Sequence, residues 1–243
     1  MSQMLITGAN GQIGSFLAKA YLAEGYNLVL LYHQRHQRLD DLFGKPGVVA
    51  IDVDLQDYNS VQHAISKLQQ APDVLIHCAA TRAIDAMPLV SSEPDMFWKV
   101  FNANCSFAYN VLRCILPRMQ DNGFGRVVMF GSDVTRGGLE NGSAYAAAKA
   151  AIVNLVKSTA REMAKADVLI NAISPAPVDT LLEEDYSGDY LRFRQHYFAE
   201  YVHQVPTGKL VSKEEIKKVI DLLINPVLTN LTGEEIYLSG GLG

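Results

Sequence analysis

"LITGANGQIGSF", residues 5–16, decides how the rest of the chain is read. An apolar run ends in a turn whose glycines fall at Gly8, Gly11 and Gly14. A stretch with Ile13, Phe16, Leu17, Ala20 and Tyr21 at helical spacing follows. A strand, a Gly turn and a helix start in that order make an anion site, because the first amides of a helix lack partners and carry partial positive charge. Gly8 is expected to permit the tight turn, Gly11 to let backbone approach a pyrophosphate, and Gly14 to let the helix pack closely. The spacing is G-x-x-G-x-x-G rather than the commoner G-x-G-x-x-G.

Working outward, six more apolar runs read as buried strands: "NLVLLY" (27–32), "VVAIDV" (48–53), "DVLIHCA" (73–79), "GRVVMFG" (125–131), "VLINAIS" (168–174) and "EEIYLSG" (234–240). Near-continuous apolar strands imply a parallel sheet covered on both faces. Helical periodicity is expected over 12–24, 58–70, 95–120, 143–165 and 212–224. The alternation predicts an α/β fold, a single Rossmann-type doubly wound parallel sheet with helices on both faces and right-handed connections. No linker or repeat divides the chain, so residues 1–243 read as one dinucleotide-binding and catalytic domain. The stretch 175–211 is irregular, with Pro175, Pro177, Gly188, Pro206 and Gly208 among the aromatics Tyr186, Tyr190, Phe193, Tyr197, Phe198 and Tyr201. It reads as a binding segment, with 181–211 as a substrate lid.

A net charge of −5 argues against a nucleic-acid partner. No apolar run reaches the roughly 18 residues of a membrane span, and the first strand begins at once, so neither a membrane partner nor a leader is expected. Cys78, Cys105 and Cys114 form no C-x-x-C pair and read as buried free thiols of a cytoplasmic protein; no metal is expected.

The second strand ends in "YHQRHQR", with no acid until Asp40 to take a ribose 2′-hydroxyl. Arg35, with His33 or Arg38, suits a 2′-phosphate instead, which favours NADP(H) over NAD(H). After the third strand, Asp54 is placed to accept from an adenine amino group, or Asp57 to cap the helix that follows.

Tyr145 and Lys149 in "SAYAAAKAA" lie four apart and share a helix face. Ser132 precedes Tyr145 by 13 residues, at the end of "VVMFGS", and Asn104 lies in an earlier helix before "CILPRM". In order, "TGANGQIG", "DVDL", "HCAA" (77–80), Asn104, Ser132, Tyr145, Lys149, "SPAPVDT" (174–180) and a terminal "SGG" make the chain strongly resemble the short-chain dehydrogenase/reductase family over nearly its whole length. A Tyr hydroxyl titrates near about 10, too high for a base at neutral pH, and a neighbouring Lys ammonium favours the phenolate. Tyr145 is then able to give a proton to a carbonyl oxygen or take one from an alcohol.

The resemblance implies that Ser132 holds the same oxygen and that Lys149 also binds the nicotinamide ribose. It implies that Asn104, with Asn102 as the alternative, holds a helix distortion and a water relaying protons to Lys149. For the cofactor it implies Thr7, Gly8, Asn10, Gly11, Gln12, Ile13 and Gly14 at the turn, then His33, Arg35, Asp54, Leu55, Cys78, Ala79 and Ala80, with Tyr145 and Lys149. Pro175 and the Val178 backbone border the nicotinamide, and Thr180 reaches its amide or a phosphate. The expected activity is NADPH-dependent reduction of a small carbonyl compound, like the 3-oxoacyl-thioester reductases. The alternative is turnover of a sugar or other polar intermediate, and a nucleotide-sensing regulator is the remaining class. A homotetramer or homodimer, paired through the helices bearing Asn104 and Tyr145 and through the last strand, is likewise implied.

Three departures stand out. The turn follows T-G-x-x-G-x-x-G, the spacing of the extended subfamily, and puts Gln12 where short members have glycine, facing the phosphates or the substrate mouth. "HCAA" stands for the usual Asn-Asn-Ala-Gly. Ala176 and Pro177 follow Pro175, where glycine is usual.

Overall fold

The computed structural model describes residues 2–34, 37–81 and 86–242. Its strands are β1 (Gln3–Thr7), β2 (Asn27–Tyr32), β3 (Val48–Asp52), β4 (Val74–His77), β5 (Gly125–Phe130), β6 (Val168–Pro175) and β7 (Glu235–Leu238). Its α-helices are α1 (Gln12–Ala23), α2 (Tyr58–Ser66), α3 (Pro94–Asn122), α4 (Val134–Gly137), α5 (Ser143–Met163), α6 (Leu182–Asp185), α7 (Gly188–Gln204) and α8 (Lys213–Leu223). The strands form one parallel seven-stranded sheet in the order β3-β2-β1-β4-β5-β6-β7.

Strand alternation splits the core into two layers. Leu5, Val29, Leu75, Val127 and Ile170 face Val61 and Ile65 of α2, Val111 and Ile115 of α3, and Ile152 and Val156 of α5. Met4, Ile6, Leu28, Leu30 and Val128 face Leu17 and Tyr21 of α1 and Ile216 and Ile220 of α8. Every one of these strand positions is apolar because neither face meets water.

The chain runs outward from β1 to β3, then returns to lay β4 on the other side of β1. A cleft therefore opens beyond the carboxyl ends of β1 and β4, the place where open α/β sheets bind ligands. Two expectations are corrected here. Helix α2 stops at Ser66 rather than 70. The stretch expected to be irregular contains the 17-residue α7, whose buried residues are Arg194, Phe198 and Tyr201. An arginine on that inner stripe hides the apolar period by which a helix is recognised.

Candidate active site

The turn after β1 forms a cradle open to backbone. Gly8 has φ +61°, and a Cβ there would lie 2.8 Å from the backbone N and Cα of Ala79. Gly11 is the N-cap of α1 with no side-chain cap, so amides of the first turn are left for an anion. A Cβ at Gly14 would fall inside hard contact with the Gly8 carbonyl oxygen. These features fit a dinucleotide pyrophosphate, and a dinucleotide supplies hydride chemistry when bound.

Two cavities meet at this turn. One, about 410 Å³, is lined by Gly8, Gly11, Gln12, Ile13, Gly14, Cys78, Ala80, Ser132, Tyr145, Lys149, Pro175, Val178 and Thr180, among others. The other, about 430 Å³, is lined by Gly8, Asn10, Gly11, His33, Arg38, Asp54, Leu55, Cys78, Ala79 and Ala80, among others. The structure thus gathers nearly every expected site residue along one cleft. Thr7 lies just beneath it, its hydroxyl 2.9 Å from His77 Nδ1. Arg35 falls outside the described residues. Asp54 lines the cleft, whereas Asp57 caps α2 by accepting from the Asn59 amide at 3.0 Å.

In the wall of the 410 Å³ cavity, Tyr145 and Lys149 project from α5 and are 7% and 1% exposed. Lys149 Nζ donates to the Phe130 carbonyl at 2.7 Å and lies 5.6 Å from the Tyr145 ring centroid. Ser132 Oγ donates to Asp133 Oδ1 at 3.1 Å. Asn104 does not line the cavity. Its amide donates to the carbonyls of Thr81 at 2.9 Å and Val100 at 2.8 Å, while its Oδ1 accepts from the Thr81 amide at 3.2 Å. It thereby fixes Thr81, which does line the cavity. Asn102, by contrast, is exposed. Asn104 lies within the continuous helix α3.

Gln12 lines the 410 Å³ cavity, and its carboxamide is bound to the segment expected to be the lid: Nε2 donates to Leu181 O at 2.7 Å and Asp185 Oδ2 at 2.8 Å, and Oε1 accepts from Leu181 N at 2.8 Å. Arg38 completes the strap, binding Glu184 at 2.6 Å and Asp185 at 2.9 Å. This attachment of α6 to the phosphate turn was missed in the sequence because the partners lie 146 to 173 residues apart. Replacing Gln12 with Ala deletes three hydrogen bonds, worth on the order of 1–3 kcal/mol together. Amide exchange at Leu181 is therefore expected to rise about tenfold or more, and unchanged exchange there would show that the start of α6 is held by other contacts.

His77 is fully buried, and burial, followed by the Lys149 charge, holds its imidazole down at about 3. The unfolded chain takes up a proton near about 6.5 that the native chain refuses until about 3. Stability should therefore fall as pH drops through that window, at most about 1.4 kcal/mol per unit. The midpoint of thermal unfolding of His77→Asn should depend less steeply on pH between those limits than that of the parent. The cysteines are free and partly, not fully, buried. Cys78 lies on the cleft wall, where burial pushes its thiol up to about 12, so it is a neutral lining group.

Residues 8–243 match the family described as enoyl-(acyl carrier protein) reductase. The 3-oxoacyl-(acyl-carrier-protein) reductase MabA of Mycobacterium tuberculosis is 29% identical over 246 residues, covering 99% of this chain and 92% of that protein. Oxidoreductase UcpA of Salmonella typhimurium is 30% identical over 245 residues, covering 98% of this chain and 92% of its own. The crystal structure of levodione reductase shares the fold, with TM-score 0.88 at 23% identity over 99% of this chain and 96% of the other. The chain belongs to the short-chain dehydrogenases/reductases, and it is an NAD(P)(H)-dependent oxidoreductase. Among the described residues, no helix is long and apolar enough to cross a membrane.

Proposed function

We propose that the protein is an NADPH-dependent ketoreductase in which Ser132, Tyr145 and Lys149 form the reacting end. The observation that carries this reading is that these three side chains share one cavity wall with the glycine cradle. A bound reduced nicotinamide would supply the hydride to the carbonyl carbon. Ser132 would turn its hydroxyl from Asp133 to the carbonyl oxygen and orient it. Tyr145 would donate its hydroxyl proton to that oxygen, so that the alcohol leaves neutral, and would be reprotonated from solvent. The Lys149 ammonium, fixed by the Phe130 carbonyl, favours the tyrosinate left behind. Asn104 acts as a positioning residue through Thr81. Pro175, Val178 and Thr180 would border the nicotinamide, and the segment from 181 to 211 would cover the substrate.

Preference for NADP(H) is supported by the absence of an acid at Tyr32-His33, where β2 ends, and by Arg38 at the adenosine end of the cleft. A 2′-phosphate there would share Arg38 with Glu184 and Asp185. The free thiols favour a reducing compartment, the cytoplasm. Trp98 and Tyr109, 56% and 54% exposed on α3, support a homo-oligomer through that helix, which light scattering tests.

The test is reduction of a panel of ketones and 3-oxoacyl thioesters with each cofactor, following the alcohol product. NADPH should exceed NADH about tenfold or more in kcat/KM, some 1.4 kcal/mol. No carbonyl reduced with either cofactor, or reduction confined to the C=C bond of enoyl thioesters, would replace this reading.

A further inference from the structure

Helix α6 ends where the two halves of the cleft meet. Asp185 at its end and Tyr186 just beyond line both the 410 Å³ and the 430 Å³ cavity. The end of β2 carries no acid. Asp185 nevertheless brings a carboxylate to the adenosine end of the cleft from a distant part of the chain, and Asp54 adds another from beyond β3. The local sequence therefore understates the negative charge that a cofactor meets there.

Asp185 divides its two oxygens. Oδ2 accepts from Gln12 at 2.8 Å, and Oδ1 accepts from Arg38 Nη2 at 2.9 Å. Glu184 Oε2 accepts from the same Nη2 at 2.6 Å and from Nε at 3.1 Å. Arg38 Nη1 reaches the Asn10 carbonyl at 3.4 Å. The Nε–Nη2 edge of a guanidinium forks onto carboxylates and phosphates, and here two carboxylates of α6 hold it. The side chains of Glu184 and Asp185 are 41% and 37% exposed, against 13% for Arg38. Water can therefore take up either carboxylate when it is displaced, without the penalty of breaking a buried pair.

A 2′-phosphate seeks that same edge. It gains the edge only by displacing Glu184 and Asp185 or by sitting beside their charges. NAD(H) carries a hydroxyl at that position and leaves the pairs as they are.

We propose that Glu184 and Asp185 are cofactor-selectivity residues: they compete with the 2′-phosphate of NADP(H) for Arg38, and binding of NADP(H) transfers the Arg38 edge from α6 to the cofactor. This rests on the reading of the 430 Å³ cavity as the adenosine end of the dinucleotide site. It deepens that reading in two ways. Selectivity becomes a difference between the phosphate and carboxylate contacts of Arg38, rather than a property of Arg38 alone. The segment proposed to cover the substrate also responds to which cofactor is bound, because such competition acts in both directions.

The experiment titrates NADPH and NADH, by their fluorescence, into the parent, Glu184→Gln, Asp185→Asn and the double variant, each with and without Arg38→Gln. Neutralising both carboxylates should tighten NADPH about tenfold and NADH less than about twofold. Glu184→Gln alone should give part of the gain. With Arg38→Gln the gain should vanish, which assigns it to competition for Arg38. Titration with 2′,5′-ADP against 5′-AMP repeats the comparison without a nicotinamide. The amides of Glu184 and Tyr186 bond the carbonyls of Leu181 and Leu182. Their hydrogen exchange should be about threefold or more faster in the NADP+ complex than in the NAD+ complex. An unchanged ratio of NADPH to NADH affinity in the double variant, a gain that survives Arg38→Gln, or equal exchange in the two complexes would each overturn the proposal. A parent protein that prefers NADH would instead overturn the NADPH reading, and the variants would still decide this one.

Discussion

Tyr145→Phe is expected to lower kcat by about 10²-fold or more, some 2.7 kcal/mol of transition-state stabilisation, with dinucleotide affinity kept. The substitution removes one hydroxyl and leaves the ring. That ring is 7% exposed and packs with Val100, Val134 and Ala144, so the volume that supports the site is retained. What disappears is the proposed proton donor, and Ser132 is not expected to replace it, because the neighbouring Asp133 carboxylate opposes loss of the Ser132 proton. Lys149 would keep its bond to the Phe130 carbonyl, so the loss should appear in kcat and in kcat/KM alike, the pattern of an interaction made in the transition state. Single-turnover reduction and a cofactor titration on the same preparation check both halves. Unchanged turnover in the variant would take Tyr145 out of the chemistry. Intact cofactor binding with no turnover in the parent would favour a nucleotide-sensing role.

Much of this site was legible in the sequence because its parts are local. The strands are uninterrupted apolar runs, and each functional group sits at a strand end or at fixed helical spacing. Ser132 follows β5, the glycines follow β1, and Tyr145 and Lys149 lie one turn apart on α5. Asn104 was separable from Asn102 only by burial, since both lie on α3 and only Asn104 turns inward to Thr81. The segment from 181 to 211, proposed to cover the substrate, was the illegible part. Helix α7 buries three residues, and one is Arg194, so no apolar period announces it. The role of Gln12 depends on Leu181, which is distant in sequence and adjacent only after folding. Such long-range pairs leave no trace in local pattern.

The three glycines of the turn should separate stability from binding. At Gly14 an alanine gains about 1 kcal/mol of helix propensity. Its methyl group would collide with the Gly8 carbonyl oxygen and sit 2.9 Å from Ala9 Cα, both backbone atoms that yield only if the turn opens. Overpacking of this kind costs about 1–3 kcal/mol in a side-chain core, and more against fixed backbone. Gly14→Ala should therefore lower the thermal midpoint by about 2–4 °C per kcal/mol lost and weaken dinucleotide binding about tenfold or more. Gly8→Ala should do the same through a different cause, since φ +61° and the Ala79 backbone at 2.8 Å both oppose a side chain. Gly11 differs. Its φ of −74° suits any residue, and a methyl group there meets only Gly8 O, at 3.3 Å, before the open cleft. Gly11→Ala should leave the thermal midpoint nearly unchanged while dinucleotide affinity falls, because the methyl group takes space that the pyrophosphate needs. Equal affinity in parent and Gly11→Ala, measured by cofactor titration, would mean that the phosphates do not approach the start of α1 and that the cradle at Gly8 and Gly14 serves packing alone.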